Sequence, residues 1–86
     1  MLAIHKGSKN MTIKHLRQKE NITQNSLALM IYCDQTTISK YEKGIAVPKI
    51  EQLPKLANAL NCSIEDVVYA LIETKKQFKE QRNARN

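Results

Sequence analysis

Apolar positions recur at helical spacing along most of the chain, in short runs separated by polar capping residues. Ile13 and Leu16 form an i, i+3 pair, and Arg17 lies one turn from Ile13 on the same side. They predict a first helix over about Thr12 to Glu20. Thr23 is a suitable N-cap for a second helix with Leu27, Ala28 and Ile31 as its buried face. Ile22 before that cap and Leu27 after it fit a hydrophobic staple. Asp34 caps a third helix over Gln35 to Tyr41, stapled by Cys33 and Ile38, with Ile38 and Tyr41 inward. Gly44 stands where a glycine ends a helix, and Ile45 to Pro48 form a loop.

A fourth helix is predicted from about Ile50 to Leu60, with Leu53, Leu56, Ala57 and Leu60 inward. Pro54 falls inside it and lacks the N–H that would bond the Ile50 carbonyl, so a kink or an irregular first turn is expected. Asn61-Cys62-Ser63 repeats the logic of Tyr32-Cys33-Asp34. Ser63 caps a fifth helix, Asp66 takes the capping-box acid position, and Cys62 with Val67 forms a third staple. Ile64, Val67, Val68, Leu71 and Ile72 form its apolar stripe. From Lys75 onward the stripe thins to Phe78 alone.

Strand-like alternation is scarce, and 86 residues with only two Gly and two Pro suit one small all-α domain. The chain divides into a loose N-terminal arm (1–11), a helical domain (12–74) and a basic C-terminal tail (75–86). Met11 is an alternative start. A mobile, solvated tail is favoured over a continued fifth helix or a non-specific DNA contact. No separate effector or oligomerisation domain is expected after residue 74.

The net charge is +6, but residues 1–74 contribute only +2 of it and residues 75–86 contribute +4. Overall charge is therefore weak support for polyanion binding by the domain itself. Cys33 and Cys62 make neither a disulfide framework nor a CxxC metal motif, and both occupy staple positions where core packing is expected. No apolar run approaches the ~20 residues of a membrane span, and the N-terminus lacks a signal-peptide core. A reducing cytoplasm is the expected setting. His5 and His15 lack zinc-ligand spacing. With no Ser–His–Asp set, Gly-rich phosphate loop or paired carboxylates, neither enzyme activity nor a metal or other cofactor is expected.

The two helices over Thr23 to Gly44, joined by a tight turn, have the layout of a helix–turn–helix unit. Thr23-Gln24, Leu27-Ala28, Ile31, Asp34, Thr37-Ile38-Ser39-Lys40, Tyr41-Glu42 and Gly44 resemble the Cro/C1-type (XRE) DNA-binding domain. The resemblance begins at Leu16-Arg17 and continues through Pro48, Leu53, Leu56-Ala57, Ala59-Leu60 and Ser63-Ile64-Glu65-Asp66. It implies a compact five-helix bundle and a repressor-like regulator that binds a double-stranded operator, commonly as a homodimer. Two departures stand out. Tyr32 replaces the usual turn glycine, which implies either a different turn or backbone strain. Pro54 is unusual in the fourth helix.

Gln35, Thr36, Thr37 and Lys40 form the outward face of the third helix and are the candidate base readers. Gln can pair bidentately with adenine, Lys can donate to guanine, and a Thr methyl can meet the thymine methyl. Gln24 opens the second helix, where free N–H groups suit a phosphate, and the resemblance implies that contact. Asn25, Lys43 and Lys49 are further candidate phosphate ligands. Ser39 faces the groove edge or a phosphate and is grouped with them. The resemblance also implies an ion pair between Arg17 and Glu42, fixing the third helix to the first. A dimer face along Val68, Leu71 and Ile72 is expected. The competing reading is an antitoxin or adaptor that uses the same fold to hold a protein partner.

Overall fold

A computed structural model of the protein describes residues 10–85. It contains α1 (Ile13–Lys19), α2 (Gln24–Met30), α3 (Gln35–Lys43), α4 (Gln52–Ala59) and α5 (Ile64–Arg85). No strand occurs among the described residues. The arm assigned to residues 1–11 lies outside the described residues except for Asn10 and Met11, and Met11 packs against the core.

One local device ends each of the first four helices. The residue after the last turn takes a left-handed conformation at Asn21 (φ 59°), Tyr32 (φ 62°), Gly44 (φ 79°) and Asn61 (φ 54°). The next N–H then reaches back to a carbonyl in the last turn. Examples are Cys33 to Ala28 at 2.9 Å, Ile45 to Lys40 at 3.0 Å and Cys62 to Ala57 at 3.0 Å. This is the Schellman arrangement, and it satisfies carbonyls that the helix itself leaves open.

At three of these ends the following apolar residue is also the staple of the next helix, and the residue after that is its cap. Thr23 accepts from the Ser26 N–H at 3.0 Å and Asp34 from the Thr37 N–H at 2.9 Å. Ser63 accepts from the Asp66 N–H at 3.0 Å, and Asp66 returns the bond by accepting from the Ser63 N–H. Three residues thus stop one helix, bury one side chain and start the next. Pro54 is harmless because it lies in the first turn of α4, where its N–H would be unpaired anyway. That turn is irregular: Glu51 gives no side-chain cap, and Leu53 bonds Ile50 in a tight i→i−3 turn at 3.1 Å.

Tyr32 occupies the same left-handed turn that a glycine would. Its side chain is 83 % exposed, and Lys55 Nζ lies 5.4 Å from the ring centre. The strain of that backbone, about 1–2 kcal/mol, exceeds what an exposed cation–π contact returns, about 0.5–1 kcal/mol. Tyr32→Gly is therefore expected to raise the melting temperature by a few degrees, on the order of 4 °C. An equal or lower value on thermal unfolding would mean that Tyr32 sits there without strain.

Ile13, Leu16, Leu27, Ala28, Ile31, Ile38, Leu56, Leu60 and Val67 form a continuous core. α5 crosses it, packing on α4, α1 and α3. Its buried positions are Val67, Ala70 and Thr74, whereas Ile64, Val68 and Ile72 are exposed and Leu71 is half-buried. The apolar stripe expected on α5 is therefore mostly not its packing face. The small Ala70 lets the helices approach closely. The Thr74 hydroxyl accepts from the Ile13 N–H at 3.1 Å while donating to the Ala70 carbonyl at 2.8 Å. It thereby pairs a donor that the start of α1 leaves open.

The basic tail also departs from expectation, since α5 continues to Arg85. Phe78 closes over Gly44, and Lys75 Nζ donates to the Gly44 carbonyl at 3.3 Å. The segment from Lys75 to Phe78 is thus part of the packed domain.

Candidate nucleic-acid interface

α2 and α3 are held at a fixed angle by the turn at Tyr32 and by a chain of polar contacts that runs from Glu42, near the C-terminal end of α3, to the N-terminal ends of both helices. Arg17 donates from Nε to Glu42 Oε2 at 2.5 Å and from Nη2 to Oε1 at 3.1 Å, a two-point guanidinium–carboxylate pair. Its Nη1 donates to the Ile22 carbonyl at 2.8 Å. The side chains are 11 % and 4 % exposed, so the pair is largely withdrawn from water. Gln24 Nε2 donates to Glu42 Oε1 at 3.0 Å, and Gln35 Nε2 donates to Gln24 Oε1 at 3.3 Å. A buried ion pair is thereby linked, through two amides, to the first exposed residue of α3.

The N-cap of α3 is a charged one. The Thr37 hydroxyl and N–H both donate to Asp34 Oδ1, at 2.8 and 2.9 Å. These bonds hold the Asp34 carboxyl below the usual carboxylate range. Thr37 is half-buried with its hydroxyl committed to this cap, so its methyl is what it offers outward. Gln35, Thr36, Lys40 and Lys43 are exposed, and Ser39 is half-buried. Thr36, Lys40 and Lys43 fall at i, i+4 and i+7, one stripe of the helix. Lys43 thus shares the face assigned to base readers.

The placement of charge matters more than its amount. Between residues 10 and 74 there are seven Lys and Arg side chains. Arg17 is paired with Glu42, and Lys19 Nζ lies 3.6 Å from Glu20. The other five all line the two grooves that flank α3. One groove, of about 620 Å³, runs between α3 and α4 and carries Lys40, Lys49, Lys55, Tyr32 and the single carboxylate Glu51. The other, of about 460 Å³, carries Lys14, His15, Lys43 and Phe78. With seven Asp and Glu against those seven cations, a domain of no net charge thus presents a cationic face centred on one helix, the distribution expected for phosphate binding on either side of a groove-inserted element.

The sequence model of the helix-turn-helix family matches residues 13–67. This chain belongs to that family, in its Cro/C1-type (XRE) branch. Among curated proteins it is similar to the HTH-type transcriptional activator BcrR of Enterococcus faecalis, with 32 % identity over 59 residues. That match covers 69 % of this chain and 29 % of the relative, so the chain spans under a third of the relative's length. No solved structure gives a significant match. The family match runs from α1 through the first turn of α5, the type of domain carried by that transcriptional activator. No described helix is long and apolar enough to cross a membrane.

Within the helix-turn-helix domain the geometry brings Gln24 and Gln35 together and sets Lys40 beside Lys49. Asn25 is exposed at the start of α2, without a contact that ties it to the others. Lys14, His15 and Lys55 escaped the sequence reading because they lie on α1 and α4, distant in sequence from α3. A lysine with no carboxylate at i±3 or i±4 is a signal that would have drawn notice to Lys14, whereas Lys55 has Glu51 at i−4. Both cysteines are half-buried. Burial first, then the nearby Asp34 and Asp66 charges respectively, raises both thiols above their ordinary value. That disfavours the reactive thiolate, in keeping with packing roles.

Proposed function

We propose that this protein is a sequence-specific, repressor-like regulator that lays α3 in the major groove of duplex DNA. The observation that carries the reading is the collection of Lys14, Lys40, Lys43, Lys49 and Lys55 along both sides of α3. Gln35, Thr36 and Lys40 read base edges, with the Thr37 methyl at the edge of the contact. Gln24, Asn25, Ser39, Lys43 and Lys49 hold phosphates and set the register, and Lys14 and Lys55 extend those tracks. Gln24 keeps one N–H free for this after bonding Glu42.

The exposed Ile64, Val68 and Ile72, spaced at i, i+4 and i+8 on α5, suit a second copy of the chain. A symmetric dimer would read two half-sites about one helical turn apart. Footprinting on DNA upstream of the protein's own gene tests the whole reading. It is expected to show paired protections of that spacing, and undetectable duplex binding at low salt would refute it in favour of a protein-only adaptor.

The Gln35→Ala, Lys40→Ala double variant separates reading from charge. Affinity for the operator is expected to fall roughly 10–100-fold, while binding to random duplex falls far less. Equal losses on both DNAs, measured by titration at fixed salt, would assign these residues to phosphate contact only.

A further inference from the structure

α5 runs well past residue 67, where the family match ends, and its last turns carry most of the chain's net positive charge. Residues 75–85 hold five Lys and Arg against the single Glu80, while residues 10–74 carry no net charge. This segment is held on the domain at the end of α3. Phe78 lies against Gly44, and Lys75 Nζ donates to the Gly44 carbonyl. Helical spacing then fixes where the other cations go. Lys79 and Arg82 follow Lys75 at i+4 and i+7, so all three share the flank of α5 that reaches Gly44. Arg82 lies over the Phe78 ring, 5.8 Å from its centre, and both Lys79 and Arg82 are exposed. Lys76 and Glu80 stand two residues to either side of Phe78, on the opposite face of the helix.

We infer that Lys79 and Arg82, on the flank anchored by Lys75, bind the phosphate backbone of duplex DNA beside the C-terminal end of α3. α3 has nine residues and is about 13 Å long, close to the ~12 Å width of a major groove. A helix of that length in the groove brings one end to a bordering strand, and Lys43 and Gly44 mark the end that α5 covers. Stacking on Phe78 limits the motion of Arg82, and its exposed guanidinium can grip a phosphate at two points. Lys79 adds a point charge beside it. Such contacts carry no sequence information, so they raise affinity without altering which bases α3 prefers. This inference rests on the proposed insertion of α3 in the major groove and adds a backbone contact outside the family-matched residues.

The test compares the full chain, the Lys79→Gln, Arg82→Gln double variant, and Lys76→Gln, which removes a charge from the far face of the same helix. Each is titrated with a duplex holding the footprinted site and with a random duplex, over a series of salt concentrations. The double variant is expected to lose about two from the slope of log affinity against log salt on both duplexes. Its affinity near physiological salt should fall roughly 10–100-fold, with the ratio between the two duplexes kept. Lys79→Gln alone, which leaves the Phe78 ring covered, should give about half the slope change, and Lys76→Gln none. An unchanged slope in the double variant, with the full chain still preferring its site, would overturn the inference and leave groove insertion standing. A slope that falls as much per charge with Lys76→Gln would also overturn it, since net charge rather than position would then be responsible. A full chain that binds no duplex at low salt would remove the reading of α3 and the inference with it.

Discussion

Arg17→Ala is expected to lower stability by about 3–5 kcal/mol, because it removes one half of a buried pair and leaves the other half charged. Glu42 is 4 % exposed on its side chain, so water cannot replace the guanidinium without opening the junction of α1, α2 and α3. Gln24 would be its one remaining side-chain partner among the contacts described, and the Ile22 carbonyl would lose its donor as well. For a domain of this size the loss corresponds to a fall in melting temperature of roughly 12 °C or more. Arg17→Lys restores the charge but not the two-point geometry, so it should recover only part of the loss.

The decisive comparison is the Arg17→Met, Glu42→Leu double variant. With both charges gone there is nothing left to desolvate, and it should be much more stable than Arg17→Ala. Thermal unfolding of the three variants measures this. A double variant as unstable as the single would show that the site needs the ions themselves rather than their mutual cancellation.

The helix ends were legible because their information is local. Thr23, Asp34, Ser63 and Gly44 each lie within three residues of the groups they satisfy, and any chain with those residues there gains the same bonds. The Arg17–Glu42 pair joins positions 25 residues apart and was accessible only through family resemblance. Tyr32 could be singled out but not resolved, since a different turn and a strained one predict the same residues. The structure decides for the strained one, with φ at 62°.

The packing positions of α5 were not legible in its apolar stripe, of which only Val67 is fully buried. The helix buries Ala70 and Thr74 at its crossing points instead, where small size and a hydroxyl matching an unpaired N–H count for more than area. Its exposed isoleucines then belong to an outer face. The order of residues 75–78 was hidden for a related reason. The surface that Phe78 covers is a glycine backbone, and a residue without a side chain leaves no apolar signal to match.

That contact makes Gly44→Ala the second large effect. The position requires φ of 79°, which costs an L-residue about 1–2 kcal/mol. The added Cβ would also stand 2.7 Å from Phe78 Cβ and 3.2 Å from the Thr74 carbonyl oxygen. Neither neighbour is the flexible end of a side chain, so the overlap adds about 1–3 kcal/mol or forces α5 away from α3. The expected total is about 2–5 kcal/mol, read as a melting temperature lower by roughly 8 °C or more. Phe78→Ala should not rescue it, because alanine keeps the Cβ that clashes. Deleting residues 77–86 should. In that background Gly44→Ala ought to cost little beyond its backbone strain, a coupling of at least about 1 kcal/mol in the double-mutant cycle. Strictly additive losses would mean that α5 can lift off Gly44 freely, and the Lys75 bond to the Gly44 carbonyl would then contribute nothing to holding the end of α3.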